Sequence, residues 1–262
     1  MCSSLFSIFF WILLKNNRKR RHRRTLADTY VDEDIPLDSD IADVACTHLH
    51  VAILMKDGKL AIRRVDEEDG IPRILDSEES TILVTTSTSI FLCNQKGILK
   101  VMEEGEEKKR IPFPWPVKIV EAVGGHDHVI FRDSQGNLFS MGTGTRGELG
   151  VGLVRRIDEP VHIEQLAGIR ISKVSCGGWH TVVLTEAGDA YTWGWNRYGQ
   201  LGKNKASTEV YPVLIDPAEE FSVSEEDIDD VTTTEHTTTV TIGHAHFVMG
   251  SDDERINEFE LK

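Results

Sequence analysis

The chain has 262 residues, of which 40% are hydrophobic and 27% are charged, and its formal net charge at pH 7 is −14. This balance is typical of a globular protein, and 21 glycines and four cysteines are too few for a collagen-like fibre or a disulfide scaffold. Seven basic side chains and no acid lie in residues 1–26, so the remainder is strongly acidic. That acidity argues against direct nucleic-acid binding and favours basic protein partners.

Residues 1–43 are predicted to be a largely disordered leader and linker. The apolar run from Leu5 to Leu14 is shorter than the roughly 20 residues that span a bilayer, and its basic flank follows it, unlike in a secretion signal. The basic run favours nuclear import; a lipid-surface patch and a solvated leader without a role are the alternatives. The import candidates are Arg18, Lys19, Arg20, Arg21, Arg23 and Arg24. We therefore expect the protein in nucleus and cytoplasm, with membrane binding disfavoured.

Internal repeats dominate the next segment, residues 44–250. Val44–Ile62 aligns without a gap with Val174–Thr192, which places His50 on His180. A third copy begins at Val123, and weaker copies lie near residue 90 and at 231–240. The last copy is aligned so that its histidine, at position 236, falls on His180. The repeated structural positions are His50, His180, His236, Gly177, Gly178, Gly188, Gly194 and Gly202.

Each copy predicts a β-hairpin. In the clearest one, Thr181–Leu184 is strand-like, Gly188 makes the turn and Ala190–Trp193 returns. Hairpins about 40 to 50 residues apart, without a sustained helical period, predict an all-β chain built as propeller blades. The segment has room for about five blades, with an acidic insertion at 217–230 and a C-terminal tail at 251–262.

The stretch SCGGWHTVVLTEAGDAYTWGWNRYGQLG, at 175–202, resembles the regulator of chromosome condensation (RCC) repeat. Its Gly-Gly-x-His, apolar strand, Gly turn, Trp-Gly and Gly-Gln-Leu-Gly elements follow the order of that family. The resemblance is specific over 120–212, fair at 44–62 and weak elsewhere. It implies a seven-bladed β-propeller, and this chain departs from it by being incomplete or short, so a partner or an extra sheet would have to cover the gap.

The chain offers no nucleophile–base pair and no convincing set of metal ligands, so we predict a non-enzymatic interaction scaffold without a cofactor, and the resemblance supplies the class of partner. Two repeats are similar to a chromatin-associated family member that partners a jumonji-type histone demethylase and acts in chromosome segregation. Histone-associated proteins are a related class of partner. Guanine-nucleotide exchange on a small GTPase, as in the founding member, is the alternative, although no residue here matches the wedge which that activity needs. A membrane-tethered trafficking adaptor is a third hypothesis.

Two loops at equivalent places in neighbouring blades carry aromatic and cationic residues, which are the residue types that supply binding hot spots. The partner-binding candidates are Trp195, Asn196, Arg197, Tyr198, Thr145 and Arg146. Trp193 is expected in the core. The acidic insertion is expected to be a solvated linker, with a basic histone tail as its alternative ligand.

Other chemistry-bearing residues favour structural roles. The repeated histidines are expected to tie one blade to the next rather than to form a catalytic or metal set. The His-x-His pairs at 48/50, 126/128 and 244/246 are half of a zinc site at most, so no metal is predicted. Cys46 and Cys176 lack a recurring activating base and are expected to be unreactive. The glycine-rich 142–147 leads to no helix, so a dinucleotide site is not predicted.

Overall fold

A computed structural model describes residues 39–251 except 67–71, 78–79, 95, 204 and 224–226, together with the backbone of three strands nearer the N-terminus. Those strands form one antiparallel sheet: β1 (Ile12–Lys15), β2 (Arg18–Arg24) and β3 (Tyr30–Asp34). The side chains of the import candidates, and residues 252–262 of the predicted tail, lie outside the described residues. Nuclear import by the leader stays a prediction.

Five further antiparallel sheets follow one another along the chain, and we call them blades 1 to 5. Blade 1 contains β4 (Ile41–Cys46), β5 (His50–Met55), β6 (Lys59–Arg64) and β7 (Arg73–Asp76). Blade 2 contains β8 (Ser80–Thr85), β9 (Ser89–Asn94), β10 (Ile98–Glu103) and β11 (Glu106–Pro112). Blade 3 contains β12 (Ile119–Gly124), β13 (His128–Asp133), β14 (Leu138–Gly144) and β15 (Val154–His162).

The last two blades complete the described fold. Blade 4 contains β16 (Ile171–Cys176), β17 (His180–Thr185), β18 (Ala190–Trp195) and β19 (Thr208–Ile215), and blade 5 contains β20 (Asp230–Thr233), β21 (Thr237–Ile242) and β22 (Ala245–Gly250). A 3-10 turn (Glu164–Leu166) precedes blade 4, and one short helix, α1 (Pro217–Phe221), precedes blade 5. The prediction of an all-β chain of repeated blades is confirmed. In the described part of the chain, no helix is long and apolar enough to cross a membrane.

The first strand of each blade contacts the first strand of the next: β4 with β8, β8 with β12, β12 with β16 and β16 with β20. The blades are therefore stacked face to face around a common axis, with their first strands innermost. The spaces between blades hold most of the core. Trp193 is fully buried between blades 3 and 4, as the sequence predicted, where it packs with Ile130 and Val183.

Successive side chains of a strand point to opposite faces of the sheet, and where both faces are buried the strand reads as a continuous apolar run. In β5, Ala52 and Leu54 face blade 2, whereas Val51, Ile53 and Met55 belong to a second cluster on the other side of the sheet. Both faces of this strand are buried, so no polar alternation survives in its sequence. Blade 5 differs, because in β21 Val240 and Ile242 are buried toward blade 4 while Thr239 and Thr241 are only half-buried.

Candidate functional site

The turn between the first and second strands of every blade lies at the same end of the molecule, and these turns are joined by backbone hydrogen bonds. The N–H of His48 donates to the carbonyl of Ser87, Ser87 to His126, His126 to Gly178, and Gly178 to Glu235, at 2.8 to 3.0 Å. One turn residue from each blade therefore enters a single hydrogen-bonded chain. Because each link satisfies groups in two blades, the turns form a rigid platform around the axis.

Buried histidines beneath this platform join neighbouring blades. His128 Nε2 lies 3.1 Å from Thr181 Oγ1 in the next blade, and His180 Nε2 lies 3.0 Å from Thr238 Oγ1. Burial lowers the pKa of each imidazole to about 3, so both rings are neutral at pH 7. In blades 3 and 4, a ring nitrogen of this histidine thus lies within hydrogen-bond distance of a threonine hydroxyl in the next blade.

The alignment of the last repeat is corrected by one residue. His50 and His180 both begin the second strand of a blade, as predicted, and His128 occupies the same place in blade 3. In blade 5 the second strand begins at Thr237, whose carbonyl receives the turn hydrogen bond that His180 receives in blade 4. His236 therefore corresponds to Trp179, not to His180. The apolar pattern of this threonine-rich segment was too weak to fix the register.

Aromatic rings cover the platform on one side of the axis. Trp179 stacks on His126 with ring centroids 4.7 Å apart and planes 5° apart, and it contacts Trp195 edge-on at 5.4 Å. Tyr198 lies 4.3 Å from His236 and 5.5 Å from Trp195. We call this cluster the aromatic face; its members are His126, Arg146, Trp179, Trp195, Tyr198 and His236. Four of its rings thus come from turns and loops of blades 4 and 5.

Arg146 projects into this cluster from the β14–β15 loop of blade 3. Its guanidinium carbon lies 4.5 Å from the centroid of the Trp179 ring and 4.9 Å from that of Trp195. Both distances are within the range of a cation–π interaction. The structure therefore brings together three of the six predicted partner-binding residues, namely Arg146, Trp195 and Tyr198.

A buried carboxylate holds the Arg146 loop. Glu148 Oε2 accepts a 2.6 Å hydrogen bond from the Arg146 backbone N–H, and the carbonyl of Glu148 accepts the indole N–H of Trp193 at 2.9 Å. Burial raises the pKa of this carboxyl group above its ordinary value. In blade 4, Gln200 repeats the arrangement by accepting the Tyr198 N–H at 2.9 Å. The first residue of each Glu-Leu-Gly or Gln-Leu-Gly motif thus fixes its loop of the aromatic face by a side-chain to backbone hydrogen bond, which we call a clip.

The other three predicted residues have different surroundings. The Asn196 side chain shapes its own loop, because its amide group donates to the Ala206 carbonyl at 3.1 Å and accepts from Leu201 N–H at 2.8 Å. Thr145 and Arg197 are exposed beside the aromatic face. In the chain they adjoin Arg146 and Tyr198, which are members of the aromatic face.

Two of the predicted glycines are required by close approaches. A Cβ on Gly177 would lie 2.0 Å from His180 Cε1, and Gly194, with a φ of +107°, would place a Cβ 2.5 Å from the Trp179 carbonyl oxygen. Gly178 belongs to the hydrogen-bonded platform. Gly188 lies in the β17–β18 turn and Gly202 in the β18–β19 loop. These positions shape the scaffold that carries the aromatic face.

The acidic insertion contributes to packing. Asp216 caps α1, and Glu220 is buried, lies 3.9 Å from Lys205 Nζ and accepts the Lys203 backbone N–H at 2.6 Å. Ile228 is buried with the core between blades 4 and 5. The expectation of a wholly solvated linker is therefore wrong for these parts of the segment, whose acid-rich composition concealed Glu220 and Ile228.

Neither cysteine chemistry nor a metal centre is built into the described residues. Burial raises the pKa of the Cys176 and Cys93 thiols to about 12, so neither is a thiolate near pH 7. No group of three or more potential metal ligands lies together within the described ranges. His126 and His128 show why the His-x-His spacing misleads, since one ring stacks on Trp179 and the other bonds Thr181.

Trp179 and His126 are the members of the aromatic face that sequence reasoning missed. Both lie in the turn just before the second strand of their blade. Trp179 is one residue before His180, and His126 is two residues before His128. That position is occupied by different residues in different blades, so the repeat comparison gave it no weight. The sequence signal that could have identified Trp179 is its place in Gly-Gly-Trp-His, since a tryptophan in a surface turn indicates a contact site.

Comparison with known proteins agrees with this architecture. The family model described as "Regulator of chromosome condensation (RCC1) repeat" matches residues 135–184 and 187–248, and a second model of that description matches 171–200. A segment of 92 residues is 45% identical to RCC1 domain-containing protein 1 of Mus musculus and covers 32% of this chain and 24% of that protein. A segment of 100 residues is 38% identical to the E3 ubiquitin-protein ligase HERC2 of Homo sapiens, and covers 38% of this chain and 2% of the ligase.

Solved structures show the same fold. Human WBSCR16 aligns with a TM-score of 0.69 at 15% identity, over 89% of this chain and 72% of that chain. Prp20p from Saccharomyces cerevisiae aligns with a TM-score of 0.67 at 16% identity, over 92% of this chain and 66% of that chain. The five blades thus superpose on part of a propeller. In the sequence comparison, the matched segment spans only about a quarter of the mouse relative.

Proposed function

We propose that this chain, whose residues 135–184 and 187–248 match the RCC1 repeat, is a non-enzymatic scaffold that binds protein partners through its aromatic face. The observation that carries the proposal is the placement of Arg146 between the rings of Trp179 and Trp195 on a hydrogen-bonded platform. Tryptophan, tyrosine and arginine supply most binding hot spots in protein interfaces. Here they are concentrated on one face and fixed in advance.

Rigidity is what suits this face to binding. The side chains of His126 and His236 are only 15% and 13% exposed, so the rings are held by their neighbours. The loops beneath them are clipped by Glu148 and Gln200. A partner that docks here has little side-chain or loop entropy to remove, and this raises affinity for a given contact area.

A cleft next to the aromatic face extends the candidate surface. It lies between blades 2 and 3, has an interior volume of about 70 Å³, and is bordered by the charged side chains of Glu103, Lys109, Asp127, Arg156 and Asp158. Arg156 spans it, with a guanidinium nitrogen 4.0 Å from Glu103 and another 2.7 Å from Asp158. A charged rim beside an aromatic centre is the usual anatomy of a protein interface.

The partner class in this proposal is chromatin-associated. The finer form is a jumonji-type histone demethylase, with a role in chromosome segregation, and it rests on the resemblance of the two best repeats to a family member with that partner. The published structure of Prp20p concerns its binding to Gsp1p and to histones, which makes protein partners of these classes reasonable candidates here. Chromatin contact through a protein partner also suits a chain of net charge −14.

The experiment is partner capture from nuclear extract followed by mass spectrometry, with the full tagged chain and its Trp195→Ala/Arg197→Ala variant. The variant is expected to lose the partner while its melting temperature stays within a few degrees of the wild type, because both side chains lie outside the core. Tyr211→Ala is the matched control, since this aromatic side chain is 47% exposed on the outer strand of the same blade.

Equal capture by wild type and variant would contradict the proposal. A large fall in melting temperature of the variant would show that Trp195 and Arg197 support the fold instead. A nucleotide-exchange assay with purified small GTPases addresses the second candidate function, guanine-nucleotide exchange, which the fold shared with a Gsp1p-binding protein brings into consideration. Accelerated nucleotide release by the wild-type chain would replace the scaffold assignment.

A further inference from the structure

The guanidinium of Arg146 is held by rings rather than by a direct ion pair, although the carboxyl group of Glu148 interacts with it electrostatically. Arg132, which is also partly buried, donates from Nε to Glu121 Oε2 at 2.6 Å. For Arg146, within the described part of the chain, the contacts of the guanidinium are the Trp179 and Trp195 rings, and no carboxylate lies within ion-pair distance. A partly buried cation has thus been fixed in place with its hydrogen-bond donors uncommitted.

The chemistry of a stacked guanidinium decides what it can receive. The Trp179 and Trp195 rings are 88° apart, so the planar guanidinium can lie flat against one of them only, and the N–H donors in its plane that point away from the two rings remain available. In that plane they match the two oxygens of a carboxylate in a bidentate pair. Because two rings and the Glu148 clip fix the plane and the loop, little freedom of Arg146 remains to be lost on binding.

We propose that Arg146 is the receptor for a carboxylate, presented by an aspartate or glutamate side chain of the partner protein that docks on the aromatic face. This inference rests on the proposed function and names the partner chemistry of the same site. Arg146 already lies against both tryptophan rings, so a cationic partner side chain would compete with it for these rings and would be repelled by its charge. The occupant is therefore an acidic peptide segment.

The charge of the whole chain gives this proposal a distinctive salt dependence. At long range, a net charge of −14 repels an acidic segment, and added salt screens that repulsion. The contact pair at Arg146 is shielded by the rings and is screened less. Association is therefore expected to speed up as salt is raised, whereas a basic ligand would associate more slowly.

The test is selection from a random displayed peptide library on the full chain, with the Arg146→Ala chain used for counter-selection. The recovered peptides are expected to share an aspartate or glutamate. For a synthetic peptide from this set, Arg146→Ala should raise Kd about tenfold or more, and Arg146→Lys should raise it less because the charge survives without the fork. Replacing the shared acid by its amide should cost the same factor, and the two changes together should cost no more than either alone.

Arg170→Ala is the matched control, because Arg170 is exposed at the opposite end of blade 4, 3.9 Å from Glu186. It should leave Kd within about twofold, as expected of an exposed pair. Thermal melts of all variants establish that they are folded.

Three results would overturn the inference: no peptide whose binding depends on Arg146, equal binding of the acid and amide peptides, or selected peptides that are basic. If such peptides still lose binding with Trp195→Ala, the aromatic face remains a partner surface and only the carboxylate assignment falls. If neither Arg146→Ala nor Trp195→Ala affects any peptide or captured partner, the proposed function falls as well.

Discussion

Two buried imidazoles should make this propeller sensitive to mild acid. The pKa of His128 and of His180 is about 3 in the folded chain, against 6.5 for an unperturbed histidine. Between these values the unfolded chain binds protons that the folded chain does not. The stability due to each neutral ring is therefore complete above pH 6.5 and is lost as the pH falls toward 3.

The size of the effect follows from the same two values. Lowering the pH from 7 to 5 protonates each histidine almost completely in the unfolded chain and not in the folded chain, which costs about 2 kcal/mol per ring and about 4 kcal/mol for both. The assay is urea unfolding at several pH values in this window. The control is the His128→Gln/His180→Gln variant, which is less stable at pH 7. Between pH 7 and pH 5 its free energy of unfolding should fall by about 4 kcal/mol less than that of the wild type.

The raised pKa of Glu148 acts in the opposite direction, since its protonation stabilises the folded chain. The wild type and the histidine variant both contain Glu148, so its contribution cancels when their losses of stability are compared. Parallel loss of stability in wild type and variant would refute the reasoning, because it would mean that the two rings are hydrated or charged in the folded chain.

Three further predictions concern the scaffold and are checked by chemical denaturation. Gly177→Ala should cost about 2 to 4 kcal/mol because its Cβ would overlap His180 and the Thr234 carbonyl. Gly168→Ala, where the Cβ would face open space and only the φ of +84° is unfavourable, should cost about 1 kcal/mol, and equal losses would exclude the overlap at Gly177. Thr238→Val should cost about 1 to 3 kcal/mol by leaving His180 Nε2 buried without its hydroxyl partner, and an unchanged stability would show that the inter-blade bond is absent. Glu148→Gln should keep the clip on Arg146 N–H, as Gln200 does in blade 4, and should change stability by less than about 1 kcal/mol; a larger loss would mean that the ionised carboxylate is needed.

Repetition is the reason that so much of the fold could be predicted from the sequence. The alignment of Val44–Ile62 with Val174–Thr192 placed β5 and β17, because a strand buried on both faces keeps its apolar run in every copy. The same alignment by apolar runs was inaccurate in blade 5. Its β21 has threonines where the other blades have aliphatic residues, so the alignment had no apolar register to follow and set His236 one residue too late.

The site was only half predictable, for a related reason. Trp195 and Arg146 were found because aromatic and cationic residues in loops indicate binding, and both loops end in Glu-Leu-Gly or Gln-Leu-Gly. The pairing of Arg146 with Trp179 depends on how blades 3 and 4 pack together, because β15, the 3-10 turn and β16 lie between these two residues in the chain. Nothing in the local sequence of either loop encodes that packing.

In blades 3 to 5 the same turn supports the fold and supplies the proposed binding surface, through residues that are close together in the chain. His180 points inward to Thr238, and histidine occupies the same position in blades 1 and 3, as His50 and His128. Trp179, one residue earlier, faces the platform and has only to fit its local partners, His126 and Arg146. Periodicity in the sequence therefore identifies the inward position, while the outward position varies from blade to blade. The binding proposal therefore rests on Arg146 and Trp179, which the repeat does not share, and not on the repeated histidines.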